Sequence, residues 1–356
     1  MEVAWLIIVA FMLTVFILLD GFDFGAGIVL LFWTKSDKEK ANVLKAIGPF
    51  WDGNEVWLIA GGGVMFAAFP ILYASAFSGL YLPLILVLWM LIFRGIGIEL
   101  AGLVDNTLWR KAWHTAFGLA SLMLALLFGI ALGNLVRGVN LGGVENGVAK
   151  FESYHFFTPL WNEHFSPTTT HPGVIDWFTI ILGLIAVVTL TIHGANWLIL
   201  KLSGEFPARL RKISFLGSII LIVLMAISFV AWIKVKPNAF DNFISHPWLW
   251  VFPALTLVGL VGMAMVKNAK KDWQPFAFSS TFILGAFLST LVALFPVLIP
   301  STNKVMPDLT IYNASATDYG LKVGLVWWLI AFVLVAVYFS FLHKKFAGKL
   351  DEIEYH

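Results

Sequence analysis

Apolar residues fill this chain in nine long stretches, separated by shorter polar connections. The stretches run over about 5–33, 52–72, 77–103, 114–136, 174–199, 214–233, 248–266, 275–299 and 321–342. Each is close to or above the roughly 20 residues with which a helix crosses the hydrocarbon layer of a bilayer. The pattern predicts an all-α integral membrane protein with nine transmembrane helices, residues 1–356 forming a single polytopic membrane domain. Spans one to four and five to eight would make two four-helix bundles, with the ninth span peripheral, although no convincing internal repeat supports the grouping. The first stretch follows Met1-Glu2 without a basic leader or a small-residue cleavage site. It therefore reads as a retained helix, a cleaved signal peptide being the alternative.

Composition agrees with that pattern and narrows the function. Of 356 residues, 60% are hydrophobic and 12% charged, against about 45–50% and about 25% in soluble domains. So little polar surface excludes a cytosolic enzyme, a nucleic-acid binder and a disordered chain. The absence of cysteine excludes disulfides, thiolate-held metals, Fe–S clusters and a covalent c-type haem. The net charge of +2 identifies no partner, but the placement of the charges is informative. Sixteen of the 23 Lys and Arg residues fall in the connections after odd-numbered spans and six in those after even-numbered spans or at their ends, Lys304 among the latter. By the positive-inside rule the amino terminus lies outside and the carboxyl terminus in the cytoplasm. The longest outside connections, about 137–173 and 300–320, read as ordered caps.

Ionisable residues inside spans are costly and mark function or a structural network. Span one carries Asp20 and Asp23, three residues apart and so on one helix face. Two carboxylates so close repel, and one is expected to hold its proton at neutral pH. Span two opens with Trp51-Asp52-Gly53-Asn54-Glu55, where Asp52 could cap the helix and both acids complement its dipole. Span three carries Arg94 and Glu99. At the helical rise, Arg94 lies about 14 Å and Asp23 about 15 Å from the inner span ends, which makes Asp23 the expected counter-ion of Arg94. Ordered by depth, Asp52, Glu55 and Glu99 lead to Asp23 with Arg94 and then to Asp20, a series that suits a proton or cation path. A purely structural network is the alternative.

Histidine says little about haem. His155, His164, His171 and His246 fall in outside connections, His114 and His343 at inner span ends, and His356 at the terminus. His193 alone lies within a span, so the chain offers no bis-histidine haem site, and His193 reads as a hydrogen-bonded residue near the inner interface, a ligand role being the alternative. Most tryptophans stand at span ends as interfacial anchors. Trp51, beside Asp52, could instead stack on a planar ligand such as a quinone ring.

Several of these segments, Asp20-Gly21-Phe22-Asp23-Phe24-Gly25-Ala26-Gly27, Trp51-Asp52-Gly53-Asn54-Glu55-Val56-Trp57-Leu58, Ala67-Ala68-Phe69-Pro70 and Phe93-Arg94 with Glu99, closely resemble subunit II of the cytochrome bd quinol oxidases. Gly133-Asn134-Leu135, Phe278-Ser279-Ser280 and the run from Phe295-Pro296 to Thr302 extend the likeness along nearly the whole chain, apart from residues 138–172. The resemblance implies a haem-free subunit of a terminal oxidase that takes electrons from membrane quinol and reduces O2 to water. It places haems b and d in the partner, subunit I, and implies a heterodimer in contact with lipid and quinol, with a small single-span subunit as a further candidate. It implies that Asp20, Asp23, Asp52 and Glu99 belong to a cytoplasmic proton pathway and that the position of Trp51 contacts a structural quinone, as in some members; Arg94 would hold the inner carboxylates of that path, with Asn54 and Glu55 as supporting candidates. A proton- or cation-coupled transporter using the same carboxylates is the competing reading; it calls for paired broken helices and polar substrate ligands, of which the Gly61-Gly62-Gly63 run is the only hint.

Overall fold

A bilayer admits backbone polar groups only when they are satisfied within the chain, so apolar stretches of this length fold as helices. The computed structural model describes residues 1–145, 148–151, 154–303 and 305–350, which leaves Lys304 and His356 outside the described residues. Helix α1 spans Glu2–Trp33 and α2, a short amphipathic connector, Asp37–Ile47. They are followed by α3 (Trp51–Ala68), α4 (Pro70–Gly79), α5 (Tyr81–Leu100) and α6 (Thr107–Arg137). The second half holds α7 (Trp177–Lys201), α8 (Glu205–Val235), the single turn α9 (Asp241–Ser245), α10 (Val251–Ala264), α11 (Trp273–Leu294) and α12 (Asp318–Lys345). Eight of these helical segments are long and apolar enough to cross a membrane, or nine if α3 and α4, bent by 120° at their junction, count as one span. The chain is thus a multi-pass membrane protein.

Several helices extend beyond the apolar stretches, α6 and α8 by about two turns at their starts, and other stretches are broken or shortened. The stretch 52–72 breaks at Phe69, because Pro70 lacks an N–H and its ring would clash with a preceding carbonyl in a continuous helix. The stretch 248–266 is shorter as an α-helix, its first turn being a 3₁₀ turn over Pro247–Trp250.

Helix α1 occupies the centre, packed against α3, α6, α7 and α11. The neighbours of α7 correspond: α8, α6, α11 and α1. At the α1–α7 crossing a Cβ on Gly25 would collide with the Leu190 carbonyl and the Gly194 backbone, so glycine is what lets the two helices approach. Helix α12 lies apart, resting mainly on α3.

Away from the α2 end, the connections form a cap. Strands β1 (Gly143–Glu145) and β2 (Val148–Phe151) pair antiparallel, as do β3 (Val297–Ile299) and β4 (Leu309–Thr310). Asp176 caps α7 by accepting from the amides of Phe178 and Thr179, and its other oxygen meets the buried Arg137 Nε at 2.8 Å. The hydrophobic core runs through the centre, around α1.

Candidate functional site

The central position of α1 buries its two aspartates. Asp20 and Asp23 are fully inaccessible, as are Asn54 of α3 and Arg94 of α5. Arg94 Nη1 donates to Asp20 Oδ1 at 2.5 Å and Nη2 to Glu55 Oε2 at 2.9 Å. Its guanidinium also lies 4.7 Å from the centre of the Phe24 ring. A planar fork of fixed donors can serve two carboxylates on different helices at once, which an ammonium cannot do with the same geometry. Asn54 Nδ2 donates to Asp23 Oδ2 at 2.8 Å and to the Leu19 carbonyl at 3.3 Å. Three helices thus converge on the turn Leu18–Asp23, with one guanidinium facing three carboxyl groups.

This arrangement corrects one expectation. Arg94 pairs with Asp20, not with Asp23. Depth along straight helices fixes where a Cα stands, whereas a long arginine side chain reaches more than a turn from its own Cα, and Asn54 already occupies Asp23. A second correction concerns Asp52. Phe50 holds the N-cap position of α3 with no side-chain bond, and Asp52 lies inside the first turn, where its charge complements the helix dipole without capping.

Asp52 and Glu99 stand outside the buried cluster, exposed on α3 and α5, while Glu55, bonded to Arg94, has its side chain 21% exposed. All three lie toward the α2 end, since the start of α3 and the end of α5 are there. Trp51 is half-buried, its indole against Gly95. Asp20 Oδ2, Asp23 Oδ1, Asn54 Oδ1 and Arg94 Nε are buried without a partner among the described residues; buried polar atoms of this kind are ordinarily satisfied by water. Carboxyl groups in such a chain can exchange protons with one another, whereas Arg94 keeps its proton and holds their positions.

The residues that sequence reading passed over are Phe24 beneath Arg94 and the Leu18 and Leu19 carbonyls. Phe24 follows Asp23 directly, and an aromatic beside an intramembrane acid is a weak but available signal for a cation. His193 engages both ring nitrogens, Nε2 with the Leu18 carbonyl at 2.9 Å and Nδ1 with Ser279 Oγ at 2.8 Å. Its ring offers no free nitrogen to a haem iron. Among the described residues no group of three or more His, Cys, Asp or Glu could hold a metal.

The family model described as cytochrome bd terminal oxidase subunit II matches residues 1–346. A probable cytochrome oxidase subunit 2 of Haemophilus influenzae is 31% identical, over 98% of this chain and 94% of its own length. Cytochrome bd-I ubiquinol oxidase subunit 2 of Escherichia coli is 29% identical, over 98% and 94%. Cytochrome bd ubiquinol oxidase subunit 2 of Bacillus subtilis is 31% identical, over 90% and 88%.

Proposed function

The chain belongs to the cytochrome bd terminal oxidase subunit II family, and from that membership we propose that it is the haem-free subunit that carries protons from the cytoplasm toward the site of O2 reduction. The observation that carries the proposal is the buried assembly of Asp20, Asp23, Asn54 and Arg94, joined to the surface through the partly exposed Glu55. Asp52 and Glu99 collect protons at the α2 end, which the excess of basic residues assigns to the cytoplasm. Glu55, Asp20 and Asp23 then accept and release them through water, and Arg94 keeps the acids in register. Groups that titrate while held away from bulk water suit this work.

The same reading covers assembly. Nine spans, with α3–α4 as one bent unit, put the amino terminus outside and the carboxyl terminus in the cytoplasm. The matching neighbour sets of α1 and α7 favour two four-helix bundles with α12 peripheral, all within one membrane domain. Haems b and d belong to subunit I, in line with the doubly engaged His193. Asp52 and Glu99 are exposed at the α2 end of α3 and α5, and Gly63 of α3 is exposed with open space beside its backbone. Acids and bare backbone suit protein better than lipid tails, so these exposed parts of α3 and α5 are assigned to subunit I, and Trp51 there offers a flat surface to a quinone ring.

The test is quinol-driven O2 consumption by the intact oxidase bearing Asp20→Asn or Asp52→Asn. Turnover should fall in both while the oxidase still assembles with its haems, because in Asp20→Asn the amide oxygen can still accept from Arg94 and Glu55 still balances its charge. Parental turnover in both variants would reject the relay and leave a structural charge network.

A further inference from the structure

One buried ionisable side chain has no part in the proton path as described. His193 lies on α7, fully buried and in the half of the chain opposite the acids. A carbonyl only accepts, so the 2.9 Å contact with Leu18 requires that Nε2 carry a hydrogen and donate it. A carbonyl oxygen has two lone pairs and takes this bond in addition to its helix bond. Ser279 of α11 fixes the other nitrogen at 2.8 Å. The Phe276 ring stacks on the imidazole, with centroids 4.6 Å apart and planes 15° apart. The ring is therefore held against rotation from three directions.

Its target is adjacent to the site. Leu18 precedes Leu19, whose carbonyl Asn54 grips from the other side of α1, and Asp20 follows next. The α1–α7 crossing is made by Gly25 and Gly194, which permit close approach but offer no side chain to fix the rotation of α1. We propose that His193 is a positioning residue, which sets the rotation of the carboxylate-bearing turn of α1 through its hydrogen bond to the Leu18 carbonyl. The bond holds α1 to α7 and α11 while Asn54 and Arg94 hold it to α3 and α5. The ionisable groups facing that turn are Arg94 of α5, Glu55 of α3 and His193 of α7. Displacements of about 1 Å at a reacting group can lower rates roughly 100-fold, so such a peg matters to the relay, and its importance for turnover rests on the proton-path reading above.

The experiment uses the purified two-subunit oxidase with redox-difference infrared spectroscopy and quinol-driven O2 uptake. Asp20→Asn and Asp23→Asn identify the carboxyl bands of the pair. His193→Leu, similar in size and without a donor, should shift those bands and reduce turnover about tenfold, equivalent to ~1.4 kcal/mol of barrier, with haem content unchanged. His193→Gln, which can donate to the Leu18 carbonyl, should restore most of both. Unshifted bands in the leucine variant, or a glutamine variant as impaired as the leucine one, would overturn the proposal. Should the leucine variant fail to assemble, Ser279→Ala decides: freeing Nδ1 should move the same bands by less, and unmoved bands overturn the proposal equally. Parental turnover in both Asp20→Asn and Asp52→Asn would reject the proton path alone, because the band shift still reports on positioning.

Discussion

Arg94 holds one acid of α1 and one of α3 with the two ends of a single guanidinium, so its loss leaves two carboxyl groups without a counter-ion inside the helix bundle. Removing one partner of a buried ion pair typically destabilises by about 3–5 kcal/mol, because the remaining charge is uncompensated. Arg94→Gln should therefore sharply lower the yield and thermal midpoint of the assembled complex. Arg94→Lys should recover only part of the loss, since an ammonium lacks the planar fork. Combining Arg94→Gln with Asp20→Asn should recover more than Arg94→Gln alone; equal midpoints for the single and double variants would show that the charge pair is not what Arg94 contributes. At this scale the sequence disclosed which charges lie within the spans and misplaced their pairing. Intramembrane charge is visible because it is rare, so Asp20, Asp23 and Arg94 stood out at once. Which acid an arginine meets depends on helix rotation and side-chain reach, and on the competing amide of Asn54, none of which follows from depth.

Helices were the more legible level, because a bilayer imposes length and apolarity together. The differences that remain have local causes. Hydropathy averaged over a span smooths across Phe69-Pro70, although a proline at that place already argues for a break. The central crossing of α1 and α7 was not legible, since glycines occur throughout the spans and only packing singles out Gly25 and Gly194. Packing also predicts their response to substitution. Gly25→Ala places a methyl against the backbone of α7, and overpacking of this type usually lowers stability by about 1–3 kcal/mol. The thermal midpoint of the complex should fall, and turnover with it, because the same crossing neighbours the acids. Gly102→Ala, at a turn with open space around it, should leave both unchanged; an equal fall there would point to backbone flexibility rather than close approach.

At the scale of the whole molecule, the tail after the peripheral α12 is fastened to the end of α7 by a reciprocal pair of lysines. Lys201, at the end of α7, donates to the carbonyls of Phe346 and Gly348 beyond α12. Lys349 donates to the carbonyls of Ile199 and Leu202 at the end of α7, at 2.7 and 2.9 Å. Each lysine satisfies carbonyls that a helix end leaves free, at the negative end of its dipole. Lys349 also meets Asp272 at 2.6 Å, and Arg211 of α8 meets the same carboxylate at 2.5 Å. Partial burial pushes the Asp272 carboxyl up, but the hydrogen bond from Lys349 and the charges of Lys349 and Arg211 outweigh it and leave the group below its ordinary value. Glu39 of α2 is lowered in the same sense by its hydrogen bond from Arg209 of α8. A carboxylate whose folded value is depressed stabilises the fold above its unfolded value, near 4, and loses that contribution as pH falls through the lower folded value. The fastening should thus be constant from about pH 5 to 8 and loosen only below about pH 4. The chain has no cysteine, so Ala347→Cys, on the exposed tail, gives one site in this subunit for a nitroxide label. The label should stay immobile across neutral pH and gain mobility only in acid, whereas adding Lys349→Ala should mobilise it at every pH. A label equally immobile with and without Lys349 would mean that the packing of Phe346 on Phe50 holds the tail, and that the lysine pair contributes little.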